Sequence, residues 1–593
     1  MKRFPLCLSL LLALSHFITA GAQDLDDASV GGVVTDQHGA VVAGARVTAV
    51  FAETGLARTT ETDGAGRYRF VELRPGEHSL RVERAGFAAE ERRGLALSAG
   101  QSLRLDFTLR PESVSAEQTV SAAEPGRAVD ATRTVVGGAV TREEIERLPL
   151  ATRSPLDFVF TLGGVTEEPL ATRDAAEDRD ASGRGGSATR AATTPEEAGT
   201  FALSGGPAYS NNVTVDGLDN NDDRSARERF QPSAEAVEEV QAITNQFSAE
   251  YGRASGGRVN LRTRSGSRQL RGRAFYFFKD EALDANTWSN NRRGLGRLPL
   301  QEHNPGFTLG GPASLRGEGT RTFFFVAYEH ASLLDSALVD ALVPIGRNPA
   351  FPLPAPTTLE GRRFEPSATQ PNQPAELAPF VERVSTPSRT HALTARLDRE
   401  FGGAHNGTFL LQFGRSKNLR QFGGGLRLPG ALQSRGRDTE ALSYTDNFVV
   451  SPSAVSQLRV QFSRLRPSLR ATERSGPVVL INVNDPLDSD DAADRSGTLV
   501  AGSSSAGATD RAETRFQLQH TLTVLRGAHA FKLGADLHRV RSVFLDLSDA
   551  GGTYSFTSAG DFLASAPSRF RQRFGTESVQ RNTYAGLFFQ DEW

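Results

Sequence analysis

Cysteine is almost absent from this sequence. Its one thiol, Cys7, lies inside an N-terminal export signal, so the mature chain has none, and disulfides and thiolate metal sites are excluded. Histidine is sparse and scattered, with 10 in 593 residues. Neither a His-Glu-x-x-His zinc motif nor a Gly-x-Ser-x-Gly elbow is present, so no enzyme activity, metal or cofactor is expected, and isolated histidines such as His520 and His538 read as strand residues. Excess charge of one sign is missing too. With 67 basic against 70 acidic residues and a net charge of −3, there is no broad basic bias of the kind that would make nucleic acid a partner. Finally, no run of the roughly 18 apolar residues that marks a spanning helix follows the signal, and the mean hydropathy is negative. That absence does not exclude a membrane. A barrel strand needs only about 9 to 11 residues with one apolar face.

What is present begins with the signal itself. Lys2 and Arg3 form its positive end, Phe4 to Ile18 its apolar stretch, and Ala20-Gly21-Ala22 a small-residue cleavage site. Residues 1–22 are expected to be removed, so that the mature protein starts at Gln23.

Residues 23–110 carry short strand-like runs: Ser29 to Thr35, Ala45 to Ala52, Ala57 to Thr62, Tyr68 to Leu73, Glu77 to Glu83 and Leu103 to Leu109. Turn residues at Asp36 to Gly39, Asp63-Gly64 and Pro75-Gly76 separate them, which predicts a small β-sandwich. The segments Gly32-Val33-Val34-Thr35-Asp36, Gly44-Ala45-Arg46-Val47-Thr48, Thr62 to Tyr68, Leu73-Arg74-Pro75-Gly76 and Ala85-Gly86-Phe87 resemble a carboxypeptidase regulatory-like domain. The resemblance implies a transthyretin-like sandwich without peptidase chemistry, with sugar binding a fold-level possibility.

Residues 111–135 are rich in Ser, Ala and Glu and read as a linker. Within it, Glu117, Gln118, Thr119, Val120 and Ser121 form an extended segment able to add as a strand to a partner's sheet edge, as a TonB box does.

Residues 136–266 combine a predicted helix, Arg142 to Leu148, with short strands and a polar insert from about Thr166 to Gly199 that is expected to be disordered. Two blocks stand out. One runs from Phe201 through Ser204, Gly205 and Gly206 to Asn211-Asn212-Val213-Thr214-Val215-Asp216-Gly217-Leu218-Asp219-Asn220-Asn221-Asp222; the other includes Val237 to Gln241, Tyr251, Gly252, Gly256 and Gly257. Together they resemble the plug of Oar-like TonB-dependent receptors. The turn at Asp216-Gly217 and the glycines at 252, 256 and 257 are expected to be structural. The acidic stretch Asp216 to Asp223 lacks the glycine of a calcium-binding loop and is expected to be solvated.

From residue 267 onward period two dominates. Leu458, Val460 and Phe462 alternate with Gln457, Arg459, Gln461 and Ser463; Phe516, Leu518, Leu522 and Val524 with Arg515, Gln517, Gln519, Thr521 and Thr523; Leu393, Ala395 and Leu397 with Thr394, Arg396 and Asp398. A soluble sandwich would alternate in the same way. Aromatic-rich runs at Ala274 to Phe278 and Phe323 to Tyr328 suit membrane interfaces, and Pro344 to Pro387 reads as a long loop. The export signal and the plug resemblance select the membrane barrel.

The fold class expected is mainly β: a transthyretin-like β-sandwich, a mixed α+β plug and a partial antiparallel transmembrane β-barrel. Roughly ten or eleven strands are expected after Leu270, against the about 22 that the resemblance implies for a plugged barrel, so the barrel is expected to be cut partway. The rival expectation takes Trp593 as the terminal aromatic of a small complete barrel. The resemblance implies outer-membrane lipid, a periplasmic TonB-type energy-transducing protein and an unknown extracellular ligand as partners. The function expected is energised uptake of a scarce ligand of the siderophore, carbohydrate or peptide class. Alternatives are a surface or adhesion protein without transport and a carbohydrate-binding protein.

Overall fold

The computed structural model describes residues 27–112, 118–121, 136–149, 153–167, 201–224, 227–245, 248–292, 294, 296–313, 321–357, 377–402, 405–421, 426–472, 476–483, 497–504, 508–527, 529–547 and 549–592. The expected export signal, all but the first residues of the insert expected from about Thr166 to Gly199, Glu117 and Trp593 lie outside the described residues.

The first body is a β-sandwich. Its strands are β1 (Ala28–Asp36), β2 (Arg46–Phe51), β3 (Ala57–Glu61), β4 (Arg67–Leu73), β5 (Gly76–Glu83), β6 (Glu90–Leu97), β7 (Ser102–Arg104) and β8 (Phe107–Leu109). One sheet joins β4, β1, β7 and β8; the other runs β3-β2-β5-β6 and takes β9 (Gln118–Ser121) at its edge. Between them Val30, Val34, Val47, Phe70, Leu80, Val82, Phe107 and Leu109 form an apolar core. Turn chemistry sets the register. The Asp36 carboxylate accepts from the amides of His38 (2.8 Å) and Ala40 (2.9 Å) while Gly39 takes φ +83°, and Asp63 does the same for Ala65 and Arg67, both at 2.9 Å. Two expectations change here. Leu103 to Leu109 is two short strands broken at Leu105-Asp106, where Asp106 accepts from the Val33 amide, and Glu90–Leu97 is a strand that weak alternation hid. The segment read as a linker contributes β9, which pairs in parallel with β6 from Glu90↔Gln118 to Arg93↔Ser121.

The second body holds β10 (Val136–Thr141), helix α1 (Arg142–Arg147), β11 (Val165–Glu167), β12 (Phe201–Leu203), β13 (Asn211–Val215), β14 (Leu218–Asp219), β15 (Val237–Asn245) and β16 (Gly257–Thr263). A capping box between Thr141 and Glu144 starts α1 where the sequence placed it. The main sheet runs β10-β15-β16-β13-β14, with β13 and β16 parallel.

The third body is a ten-stranded antiparallel sheet: β17 (Arg271–Asp280), β18 (Gln301–Pro312), β19 (Thr322–Leu334), then, after a hairpin of β20 (Ser336–Pro344) and β21 (Leu377–Ser385), β22 (Ser388–Glu400), β23 (His405–Gln421), β24 (Gln433–Ser451) and β25 (Ala454–Ala471). Beyond β26 (Val478–Val483) and β27 (Gly497–Gly502) follow β28 (Ala508–Arg526), β29 (His529–Asp546), β30 (Thr553–Phe556), β31 (Arg569–Arg571) and β32 (Thr576–Glu592). The order is β17-β18-β19-β22-β23-β24-β25-β28-β29-β32, and among the described residues the sheet is not closed.

One end of this sheet has tight connections, with only residues 452–453 between β24 and β25 and 527–528 between β28 and β29. The other end carries the long excursions, among them residues 335–387, 472–507 and 547–575. The stretch Pro344 to Pro387 is therefore not loop throughout, because Leu377–Ser385 pairs with Ser336–Pro344. Val339, Val343, Phe380, Leu432, Ile481, Leu499, Phe556 and Phe562 from several excursions share one apolar core, which gives those chain segments a reason to be ordered.

The alternation in the sheet is inside out. Gln457, Arg459, Gln461 and Ser463 are buried, while Phe462 is 53% exposed; Arg515, Gln517 and Gln519 are buried, while Phe516 is 43% exposed. The apolar face points away from the molecule and the polar face is covered by the second body. A soluble sandwich has the reverse arrangement.

Candidate functional site

The covered polar face and the loop that follows β13 bring together many of the buried charged side chains among the described residues. The chain turns at Asp216 (φ +47°) and Gly217 (φ +82°), and the Asp216 carboxylate accepts from the Thr263 amide at 2.9 Å and hydroxyl at 2.5 Å, tying the turn to the end of β16. Asn220 then clasps Phe230: its side-chain amide donates to the Phe230 carbonyl (2.7 Å) and its oxygen accepts from the Phe230 amide (3.0 Å). These two ties close residues 216–230 into a loop whose acidic side chains face β28 and β29.

Asp219 and Asp222 are not solvated: they are 4% and 2% exposed, while Asp223 keeps part of its surface in solvent. Asp219 meets Arg515 at 2.9 Å and Arg253 at 2.5 Å; Asp223 meets the same two guanidiniums at 2.7 and 2.8 Å; Asp222 pairs with Arg511 and lies 3.7 Å from Arg437. Arg229 on the loop pairs with Glu513, which also holds Arg511 at 2.5 Å. His538 sits 3.7 Å from Asp219 and 2.8 Å from Asp536. This overturns the expectation of a solvated loop. The physical reason is charge pairing, because Arg511 and Arg515 on β28, Arg437 on β24 and Arg253 surround the loop's aspartates. Burial opposes ionisation of Asp219, Asp222 and Asp223, but the nearby guanidiniums outweigh it and hold all three carboxyls below the usual aspartate range. Among the described residues no group of acids and histidines is arranged to hold a metal ion.

The same pattern extends along the interface. Arg396 on β22 lies 3.4 Å from Asp216 and donates to Thr263, Lys532 on β29 pairs with Glu250 at 2.6 Å, and Arg153 reaches Glu329 on β19 at 3.1 Å. Close backbone approach makes some of this possible. At Gly252 a Cβ would lie 2.6 Å from the Tyr584 hydroxyl of β32, and at Gly257 it would lie 2.6 Å from the Ile243 carbonyl. Gly256 stands against Ser210 and Asn211. Ser204 (φ +51°) and Gly205 (φ +72°) turn the chain after β12, with the Ser204 hydroxyl donating to the Thr244 carbonyl and Gly206 packed on Ser210. Tyr251 lies against the buried guanidinium of Arg258, 3.6 Å from its ring centre.

The structure thus brings Asp219 next to the segment of Tyr251 and Gly252 through Arg253, with Asn220 on the same loop, sets Asp216 and Gly217 at the end of β13 against Thr263, and packs Gly256 and Gly257 at the opposite end of β13 and β16 against the turn of Ser204 to Gly206. It does not bring Gln118 to Ser121 there; they belong to the sandwich edge. Sequence reasoning missed Asp222, Asp223, Arg229, Arg253, Arg511 and Glu513 as site residues. A signal existed: Arg511, Glu513, Arg515 and Gln517 fall on one face at period two, and a run of both charge signs on one face asks for a polar partner.

The sandwich sits at the tight-turn end. Glu72 accepts from the Thr523 hydroxyl at 2.7 Å, Arg69 pairs with Glu592 at 2.6 Å, and Arg74 pairs with Asp398 at 3.1 Å.

Comparison with known proteins follows this geometry. A family model described as an outer membrane beta barrel domain matches residues 262–593, and one described as a carboxypeptidase regulatory-like domain matches residues 29–110. The chain is 28% identical over 323 residues to the TonB-dependent transporter Oar of Myxococcus xanthus, covering 52% of this chain and 28% of that protein. The solved outer membrane transporter YddB from Escherichia coli superposes with a TM-score of 0.51 at 10% identity, over 77% of this chain and 54% of that one. The match therefore spans less than a third of the curated relative's length and about half of the solved one.

Proposed function

The chain belongs to the outer membrane β-barrel family, and from that premise we propose that it is a TonB-dependent outer-membrane receptor whose residues 136–266 are a plug seated on the inner face of the barrel strands. The observation that carries this reading is the inverted sheet: its apolar face is turned out, as lipid requires, and its charged face is buried against a separate folded body through paired ions. In this reading the tight turns and the sandwich are periplasmic, and the long excursions face outward. Ligand binds the outer excursions and the plug apex; energised TonB pulls on the N-terminal side and shifts the plug. The ligand belongs to the siderophore, carbohydrate or peptide class.

Glu117 to Ser121 are the TonB contact in this proposal. Gln118 to Ser121 already add as a strand to β6, so the same main-chain groups that pair with the sandwich would pair with a TonB-type sheet edge. Deletion of Glu117 to Ser121 is expected to abolish energy-dependent uptake, and binding of the purified TonB periplasmic domain, while display at the cell surface persists. Unchanged TonB binding would remove this segment from the proposal.

A second reading, a surface protein without transport, is favoured by one observation: the outer excursions build an apolar core of their own, as a displayed domain does. Surface adhesion that survives the deletion, with no energy-dependent uptake in the intact chain, would select it.

A further inference from the structure

The sandwich is fixed to both other bodies at once. Its ties through Arg74, Glu72 and Arg69 reach β22, β28 and β32 at the tight-turn end of the sheet, so one small domain spans most of the sheet's width. Toward the second body, the Glu239 carboxylate accepts from the Ala99 amide at 3.2 Å and Gln241 donates to the Ala99 carbonyl at 2.9 Å, both from β15. Asp27 joins all three bodies: one of its oxygens lies 3.3 Å from Arg262 on β16, and the other accepts from Gln457 on β25 at 3.3 Å. The chain that leaves β16 for β17 is gripped as well. In the β2–β3 turn the carbonyls of Glu53 and Thr54 accept from the amide and the Nε of Arg268, at 3.0 and 2.9 Å, and the Glu53 carboxylate accepts from the Ser265 hydroxyl at 3.0 Å. A Cβ at Gly55 would lie 1.1 Å from an Arg268 nitrogen, so this approach needs glycine, which also takes φ +70° there.

The backbone of the sandwich is shaped for this contact. Between Ala28↔Leu73 and Val30↔Phe70 the β1–β4 pairing shifts by one residue, a bulge that sets Glu72 at φ +55°. Arg58 pins it by donating to the carbonyls of Val71 (2.6 Å) and Glu72 (3.1 Å). A bulge re-aims a side chain at a cost in strain, and here it carries Glu72 out of the sandwich to Thr523 on β28. The seam itself is polar. The apolar core of the sandwich contains sandwich residues alone, and the seam encloses spaces of about 30 and 40 Å³, the first walled by Arg69, Glu72 and Lys532 among others, the second by Arg58, Arg74 and His78. An interface of polar ties and water-sized spaces can part and be rehydrated without unfolding either side.

We propose that the sandwich is a latch on the plug. Docked, it clamps β15, β16 and the connector 264–270 against the barrel strands; released as a folded unit, it lets that end of the plug move. The inference rests on the reading of residues 136–266 as a plug, and it adds that a pull from the N-terminal side has to break the ties of the sandwich before the plug can shift.

The test uses the full chain folded in detergent and reads hydrogen exchange, with no ligand or TonB present. D27A/R69A/R74A removes ties of the sandwich and leaves the pairs made by Arg515, Arg511 and Arg229 in place. Exchange in β15, β16 and residues 264–270 is expected to rise at least ~10-fold, while β2 and β5 keep their protection. Beyond residue 22 the sequence has no cysteine, so E72C/T523C offers one pair for a disulfide or a short bismaleimide bridge. Added to the triple variant, the bridge is expected to return exchange in β15 and β16 to within ~2-fold of the wild type, and reduction of the disulfide to release it again. Unchanged exchange in the triple variant, or no recovery on bridging, overturns the latch. Where the triple variant also exposes β2 and β5, the sandwich itself has unfolded, and E72C/T523C alone makes the comparison: equal exchange in β15 and β16 of its bridged and reduced forms overturns the latch. A wrong plug reading gives a different result, because Arg515→Ala would then leave residues 216–230 protected whatever the sandwich does.

Discussion

Two interiors of this molecule are built on opposite principles. The sandwich core is apolar throughout, with Val30, Leu80, Val82 and Phe107 completely buried. The interior between the second body and the ten-stranded sheet is ionic, and its largest fully buried side chains include Arg258 and Arg515. Apolar packing is non-directional and tolerates small shifts of its parts. A buried ion network depends on every partner being present, yet the groups on both faces can be rehydrated if the two faces separate intact. The first kind of interior suits a unit that stays folded. The second suits two bodies that hold register and can still part, as a plug must if it moves under a pull.

The sharpest way to break that comparison is Arg515→Ala. It leaves the buried Asp219, and the partly exposed Asp223, beside fewer cations, and removal of one partner from a buried pair typically costs about 3–5 kcal/mol. The loss is expected to fall on the junction: protease should cut in residues 216–230 while the sandwich resists. Arg515→Leu combined with Asp219→Asn is expected to recover most of it, because one charge of each sign is removed and Arg253 keeps Asp223. If the double variant is as labile as Arg515→Ala, the ionic account of the junction is wrong.

Leu80→Ala is the counterpart in the apolar interior. Leu80 is fully buried between the sheets, and truncation at such sites costs about 2–5 kcal/mol. Here the melting of the sandwich should fall while residues 216–230 keep their protection, measured by hydrogen exchange in the same sample. Loss of protection in both regions would mean that the two interiors fold as one unit.

Acid separates them by a smaller margin. Asp219, Asp222 and Asp223 have carboxyls held below the ordinary value of 3.8, so the stability they give is full above that value and is lost as pH falls through the depressed values. Asp36 is also lowered, by the Ala40 and His38 amides, but it is exposed and screened and moves the sandwich little. Exchange in residues 216–230 is expected to rise below about pH 4, before exchange in β2 and β5 does. The reverse order would contradict the assignment of these acids as the junction's main carboxylates.

Much of this contrast was legible in the sequence, and the failures have a common cause. Strand positions from Ser29 to Glu83 and α1 at Arg142 follow from local periodicity and turn residues. Alternation at Leu458 to Ser463 identifies a two-faced strand but is silent on which face is inside, since lipid and a protein core demand the same apolar stripe. Asp219 and Asp222 look solvated because their partners, Arg515 and Arg511, lie some 290 residues away and no local pattern links them. Gln118 to Ser121 read as linker because four residues carry too little periodicity to show that they pair with β6. The residues that define the site were misjudged where their partners are distant, and read correctly where geometry is local.

The mildest test concerns how closely the two faces approach. At Gly252 an added Cβ would stand 2.6 Å from the Tyr584 hydroxyl, an atom at the tip of a side chain that can swing aside. Gly252→Ala is therefore expected to cost only about 1 kcal/mol, the range of small overpacking. Tyr584→Phe removes the obstructing oxygen, so the double variant should regain the protection that Gly252→Ala loses in residues 248–258. Additive losses in the double variant would show that Gly252 serves its own backbone conformation and not the approach of β32; recovery would place the contact itself among the ties between the second body and the strands that hold it.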